Sequence, residues 1–129
     1  RRSLSIKSVA REDDPRGRLT LGENIADLGG LKIAYAALVE ALGEGAGDPN
    51  AGRIDGLSPQ QRFFISWATV WRTNYTDEFQ RLLVNVDPHS PARYRVNGPL
   101  ANLPAFADAF QVPEGSPMRR PEAARAHIW

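Results

Sequence analysis

Apolar residues along this chain recur at helical rather than alternating spacing. Leu21, Ile25, Leu28, Tyr35 and Leu38 fall three, four or seven apart, which predicts a helix over 20–42. Thr20-Leu21-Gly22-Glu23 has the spacing of a capping box at its start, and Gly43 is a natural stop. Gly29 and Gly30 lie inside this helix, each costing about 1 kcal/mol relative to alanine. That cost predicts a neighbouring backbone packed closely against them. A second helix opens at Ser58-Pro59-Gln60-Gln61, with an N-cap, a proline at the first helical position and a glutamine closing the box. It carries Phe63, Phe64, Trp67, Val70 and Trp71, a dense apolar stripe that reads as core. Thr76-Asp77-Glu78 starts a third helix, bearing Phe79, Leu82 and Leu83.

The intervening segments carry breaker residues. Residues 43–56 hold five glycines, Asp48, Pro49 and Asn50, a surface-loop composition. Pro88 and Pro91 bracket His89 and Ser90 and require an irregular turn. Residues 93–96 read as extended and Asn97-Gly98-Pro99 as a turn. A short helix is expected from about Leu103-Pro104, with Phe106 and Phe110, followed by a Pro/Gly-rich tail to Ile128-Trp129. Residues 1–17 are charge-rich and broken by Pro15 and Gly17, as in a loosely docked arm. The pattern predicts an all-α chain, mainly helical with long irregular connections, with residues 18–129 as its ordered part.

Composition narrows the function classes. The chain has 129 residues, 42% hydrophobic and 24% charged, which suits one modest core. Sixteen basic against fifteen acidic residues give a net charge of +1, an unpromising balance for a nucleic-acid surface. No apolar run is long enough for a membrane span. Without cysteine there is no disulfide, thiolate metal site or thiol nucleophile. The numbering opens on Arg1 and the lone methionine is Met118, so the chain is expected to be a piece of a longer polypeptide.

Two places carry candidate chemistry. Glu23 and Asp27 are four apart and share one helical face, as a metal ligand with a supporting carboxylate or an acid/base pair would. The competing reading is a capping glutamate followed by a solvated aspartate, since acidic first turns suit the helix dipole. His89 sits in the proline-bracketed turn with Arg95 six residues on. Such a pair can stabilise an oxyanion and bind a carbonyl or carboxylate, against the alternative of a surface histidine and an unrelated arginine. His127 has no evident partner. There is no His-Glu-x-x-His, Gly-x-Ser-x-Gly or phosphate loop, so an autonomous metalloenzyme is not expected.

Two segments go beyond generic pattern. Leu19-Thr20-Leu21-Gly22-Glu23-Asn24-Ile25-Ala26-Asp27-Leu28-Gly29-Gly30-Leu31 resembles the Glu-Asn-x-x-Asp zinc motif of the neprilysin/endothelin-converting-enzyme metallopeptidases. Asp87-Pro88-His89-Ser90-Pro91 through Arg95 and Leu100, with Asn102, Pro104, Phe106, Ala109 and Phe110, resembles that family's C-terminal substrate-site segment. Residues 63–72 resemble its aromatic helix, and Trp129 its usual last residue. The resemblance implies the C-terminal part of a zincin-type catalytic domain, with Glu23 as third protein ligand of a catalytic zinc. It implies that Asp27 hydrogen-bonds a zinc-binding histidine, that His89 donates to the oxyanion and that Arg95 holds a backbone carbonyl of the peptide substrate. Gly29 and Gly30 would pack against the partner zinc helix.

The departures are equally specific. The family's His-Glu-x-x-His and its Asn-Ala-x-Tyr edge strand are absent, and Val112 and Ala126 stand where animal members carry cysteines. The second difference points to a disulfide-free relative of bacterial type. The chain is therefore expected to supply one side of a zinc metalloendopeptidase site, to bind zinc weakly or not at all alone, and to be inactive by itself. Its expected partners are a peptide substrate and the missing upstream part of the domain, and the resemblance favours a periplasmic or secreted setting over a cytoplasmic one. The alternative is a non-catalytic helical interaction module, self-associating through a face around Ile25, Gly29 and Gly30.

Overall fold

The computed structural model describes residues 15–48 and 50–128. Of the loosely docked arm expected over 1–17, residues 1–14 lie outside the described residues and residues 15–17 are helical; the terminal Trp129 also lies outside them. Five α-helices follow in order among those described: α1 (Pro15–Leu42), α2 (Pro59–Val70), α3 (Asp77–Val86), α4 (Ala92–Asn102) and α5 (Pro104–Ala109). No strand occurs among them, only an isolated bridge between Ile54 and Leu57, so the all-α reading stands.

Local chemistry explains most helix starts. At α2 the full capping box forms: Gln61 N donates to Ser58 Oγ at 3.2 Å, and Ser58 N to Gln61 Oε1 at 3.0 Å. Gln61 Nε2 also reaches the Ala109 carbonyl at 3.0 Å, which ties the start of α2 to the end of α5. Thr76 caps α3 through Phe79 N. The capping box expected at Thr20 does not exist, because among the described residues the chain is already helical from Pro15. Thr20 is instead helical and accepts from Asn24 Nδ2 at 3.4 Å.

The segment 93–99 departs most from its expected extended stretch and turn. It is α4, with Pro99 inside the helix. Gly98 before the proline lacks the Cβ that would clash with the ring. The Arg95 carbonyl, deprived of the i+4 amide, accepts from the Trp67 indole Nε1 at 3.3 Å. A donor on α2 thus makes an interior proline tolerable in α4.

α1, α2, α4 and α5 close around Leu28, Leu31, Phe64, Leu100 and Leu103, with Tyr35, Trp67 and Phe106 packed against them. Phe64 is 1% exposed; it stacks on Tyr35 at 5.1 Å and meets Phe106 edge-on at 5.6 Å. The tail is stitched down by Lys32 Nζ to the Ile128 carbonyl and by Arg120 N to the Ala101 carbonyl. α3 contributes no buried residue, and its Phe79, Leu82 and Val86 are exposed. The glycine pair divides: Gly29 is buried, whereas Gly30 is exposed, with nothing within 4 Å of an added Cβ. The close backbone expected against Gly30 is therefore not supplied by the described residues.

Candidate active site

α1 and the 87–95 segment bring together all four candidates. The heart is a salt bridge between α1 and α4. Arg95 Nε donates to Asp27 Oδ2 at 2.7 Å and Nη2 to Oδ1 at 2.6 Å, a bidentate fork. Their side chains are 12% and 8% exposed, so the aspartate is neither solvated nor incidental. The Asp27 bonds hold the Arg95 guanidinium above its already high ordinary pKa, against the desolvation that would lower it. The guanidinium carbon also lies 3.7 Å from the centre of the Trp71 ring, within cation–π range.

His89 makes the second contact. Its Nε2 lies 3.1 Å from Glu23 Oε2, and its Nδ1 2.7 Å from Asp87 Oδ1. The backbone N–H of His89 and then its ring hold the Asp87 carboxyl below the usual carboxylate range. Asp87 fixes the ring and leaves Nε2 as the nitrogen facing Glu23. These side chains are 40% and 43% exposed for His89 and Glu23. Ser90 Oγ donates to Asn24 Oδ1 at 2.9 Å, pinning the turn to α1. Two parallel ties thus cross from α1, one exposed at Glu23 and one buried at Asp27.

Three corrections to the sequence reading follow. Arg95 does not share the histidine's loop; it projects from the first turns of α4. Glu23 caps nothing, since α1 starts eight residues earlier. Trp71 is not core; it is the C-cap of α2 and floors Arg95. Its Nε1 is the one buried side-chain polar atom without a hydrogen-bond partner among the described residues. Asp87, Asn24 and Ser90 also escaped notice, although all three lie within the quoted motifs. A cavity of about 960 Å³ opens beside this cluster, lined by Trp71, Tyr75, Leu83, His89 and Arg95 among others.

Comparison with known proteins settles the lineage. The family model described as Peptidase family M13 matches residues 5–126. The chain belongs to peptidase family M13. Human membrane metallo-endopeptidase-like 1 is 44% identical over 121 residues, covering 94% of this chain and 15% of that protein. The Locusta migratoria endothelin-converting enzyme homolog is 47% identical over 115 residues, with 88% and 15% covered. The structure of the Mycobacterium tuberculosis zinc metalloprotease Zmp1 in complex with an inhibitor aligns with a TM-score of 0.79 at 40% identity. It covers 95% of this chain and 19% of Zmp1. The chain therefore spans about 15% of the length of the curated M13 relatives it matches. Among the described residues no group of three or more His, Cys, Asp or Glu side chains is placed to hold a metal. The accessible Glu23 carboxylate fits one position in a zinc site that takes three protein ligands. No described helix is long and apolar enough to cross a membrane.

Proposed function

We propose that this chain forms the C-terminal part of the catalytic domain of a zinc metalloendopeptidase that hydrolyses peptide bonds in oligopeptides. The observation carrying this reading is the convergence of Glu23, Asp27, His89 and Arg95 from segments more than 60 residues apart, in a chain of family M13. Glu23 is the third protein ligand, with the other two supplied from outside these residues. A zinc held there would supply Lewis-acid polarisation of the scissile carbonyl and an activated water.

The chain's own groups do the rest. His89, oriented through Nδ1 by Asp87, donates from Nε2 to the negative charge developing on the carbonyl oxygen. Arg95 binds a substrate backbone carbonyl. A guanidinium has five N–H donors and Asp27 occupies two, so anchoring leaves three that can face the cavity. Asp27 then has two tasks. One lone pair on each oxygen holds Arg95, and the remaining acceptor capacity orients a zinc-binding histidine and raises its basicity. The face of α1 that carries Ile25, Gly29 and Ile33, spaced four residues apart and exposed at both isoleucines, receives the upstream part of the domain. An extracytoplasmic setting, periplasmic or secreted, accompanies this reading.

In the complete enzyme, His89→Ala lowers kcat, while Arg95→Ala raises KM for peptides. Equal effects on both constants in both variants would contradict these roles. The 129-residue chain, incubated with zinc and a quenched peptide, shows no turnover; chelator-sensitive cleavage would sink the assignment. Asp27→Ala lowers zinc affinity roughly 10–100-fold.

A further inference from the structure

Arg95 is gripped at its backbone as well as at its side chain. Pro99 occupies the place in α4 whose N–H would close on the Arg95 carbonyl. Proline has no N–H, and its ring crowds that carbonyl and tilts it outward. The donor comes from α2 instead, through the Trp67 indole at 3.3 Å. We propose that Trp67 is a positioning residue for Arg95, and that Trp67 and Pro99 form a two-part lock setting where the guanidinium lies over Trp71.

The geometry supports a lock rather than ordinary packing. Trp67 and Trp71 are four residues apart, one turn of helix, with rings edge to face at 5.7 Å. Trp67 takes the backbone oxygen of Arg95, and Trp71 lies 3.7 Å from its guanidinium carbon. One residue of α4 is therefore clamped at both ends by successive turns of α2. An amide at position 99 would satisfy the same carbonyl, but only from within α4. Pro99 removes that option and obliges the carbonyl to seek its donor across the helix interface. The functional meaning of the lock rests on the reading of Arg95 as a substrate-binding group; its geometry does not.

The test uses ¹⁵N NMR on the full 129-residue chain, with the Arg95 Nε–H signal assigned by its loss in Arg95→Lys. Trp67→Phe keeps an aromatic ring at this position and removes the donor with the five-membered ring that carries it. It is expected to shift that signal and speed its exchange with water about 2–13-fold, the factor set by one lost hydrogen bond. Adding Pro99→Ala restores an in-helix donor and returns at least half of the protection. Pro99→Ala alone shifts the Trp67 indole N–H signal, because the two donors then compete, and leaves Arg95 Nε–H in place. An unmoved Arg95 signal in Trp67→Phe overturns the proposal. So does a folded double variant without rescue, which would reduce Trp67 to packing. If Trp67→Phe does not fold, Pro99→Ala decides, and an unmoved indole signal counts against the lock. These signals need neither zinc nor substrate. Unchanged peptide binding in Arg95→Ala enzyme would thus overturn the substrate role and leave the lock standing.

Discussion

The Asp27–Arg95 fork gives the sharpest quantitative prediction. Replacing Asp27 by alanine leaves a guanidinium that is 12% exposed with no carboxylate in its fork. Removing one partner of a buried pair costs about 3–5 kcal/mol, because the remaining charge is stranded in a poorly solvating site. Arg95 retains Trp71 beneath it, and cation–π attraction is worth about 0.5–2 kcal/mol. The expected loss therefore lies near the low end, about 3 kcal/mol. At roughly 4 °C per kcal/mol for a chain of this size, Tm falls by about 12 °C. Arg95→Leu, which strands the Asp27 carboxylate, should cost at least as much. The double variant carries neither charge and should be more stable than the sum of the singles implies, by about 2 kcal/mol. Urea unfolding followed by far-UV circular dichroism on all four proteins reads these terms. Single losses below about 1 kcal/mol, or strict additivity, would refute the fork as a coupled buried pair.

Other outcomes follow from the same geometry. Glu23 and His89 are about 40% exposed, and surface pairs contribute only about 0–1 kcal/mol. Glu23→Gln should therefore leave the urea midpoint nearly unchanged while reducing zinc content in the complete enzyme; unchanged metal content would remove Glu23 as a ligand. Ser58→Ala removes the side-chain acceptor of the α2 capping box while keeping the backbone N–H that donates to Gln61, and should cost about 1 kcal/mol, with a loss under a few tenths counting against it. The Asp87 carboxyl titrates below its unfolded value, so its contribution is complete above about pH 4 and lost as pH falls through the lowered folded value. Asp87→Asn should flatten the acid limb of the stability–pH curve, and superimposable curves would contradict the His89–Asp87 contact.

The site shows why short motifs were readable and the contacts between them were not. Glu23 and Asp27 share a face by helical periodicity alone, so the motif could be placed without coordinates. Their neighbours lie more than 60 residues on, and no local rule pairs Asp27 with Arg95 or Glu23 with His89. Trp71 illustrates the same limit: its place in an aromatic stripe signals burial, but not that its ring floors a guanidinium. The misplaced start of α1 has a different cause. Thr20-Leu21-Gly22-Glu23 satisfies the capping-box spacing, yet the chain is already helical from Pro15, so the motif sits within the helix.

Sequence by itself determined the helical character, the caps at Ser58 and Thr76, the core role of Phe64 and the choice of the four residues proposed for the site. All of these depend on neighbours within a turn or two, or on motifs carried in short segments. Tertiary structure decided that residues 92–102 are helical despite Pro99, that Gly30 faces open space and that Asp27 is committed to Arg95. Each turns on what another segment supplies: an indole donor from α2, a backbone that does not arrive, and a guanidinium from α4. Local pattern records the demand of a residue for a partner, and only the folded chain shows which group meets it.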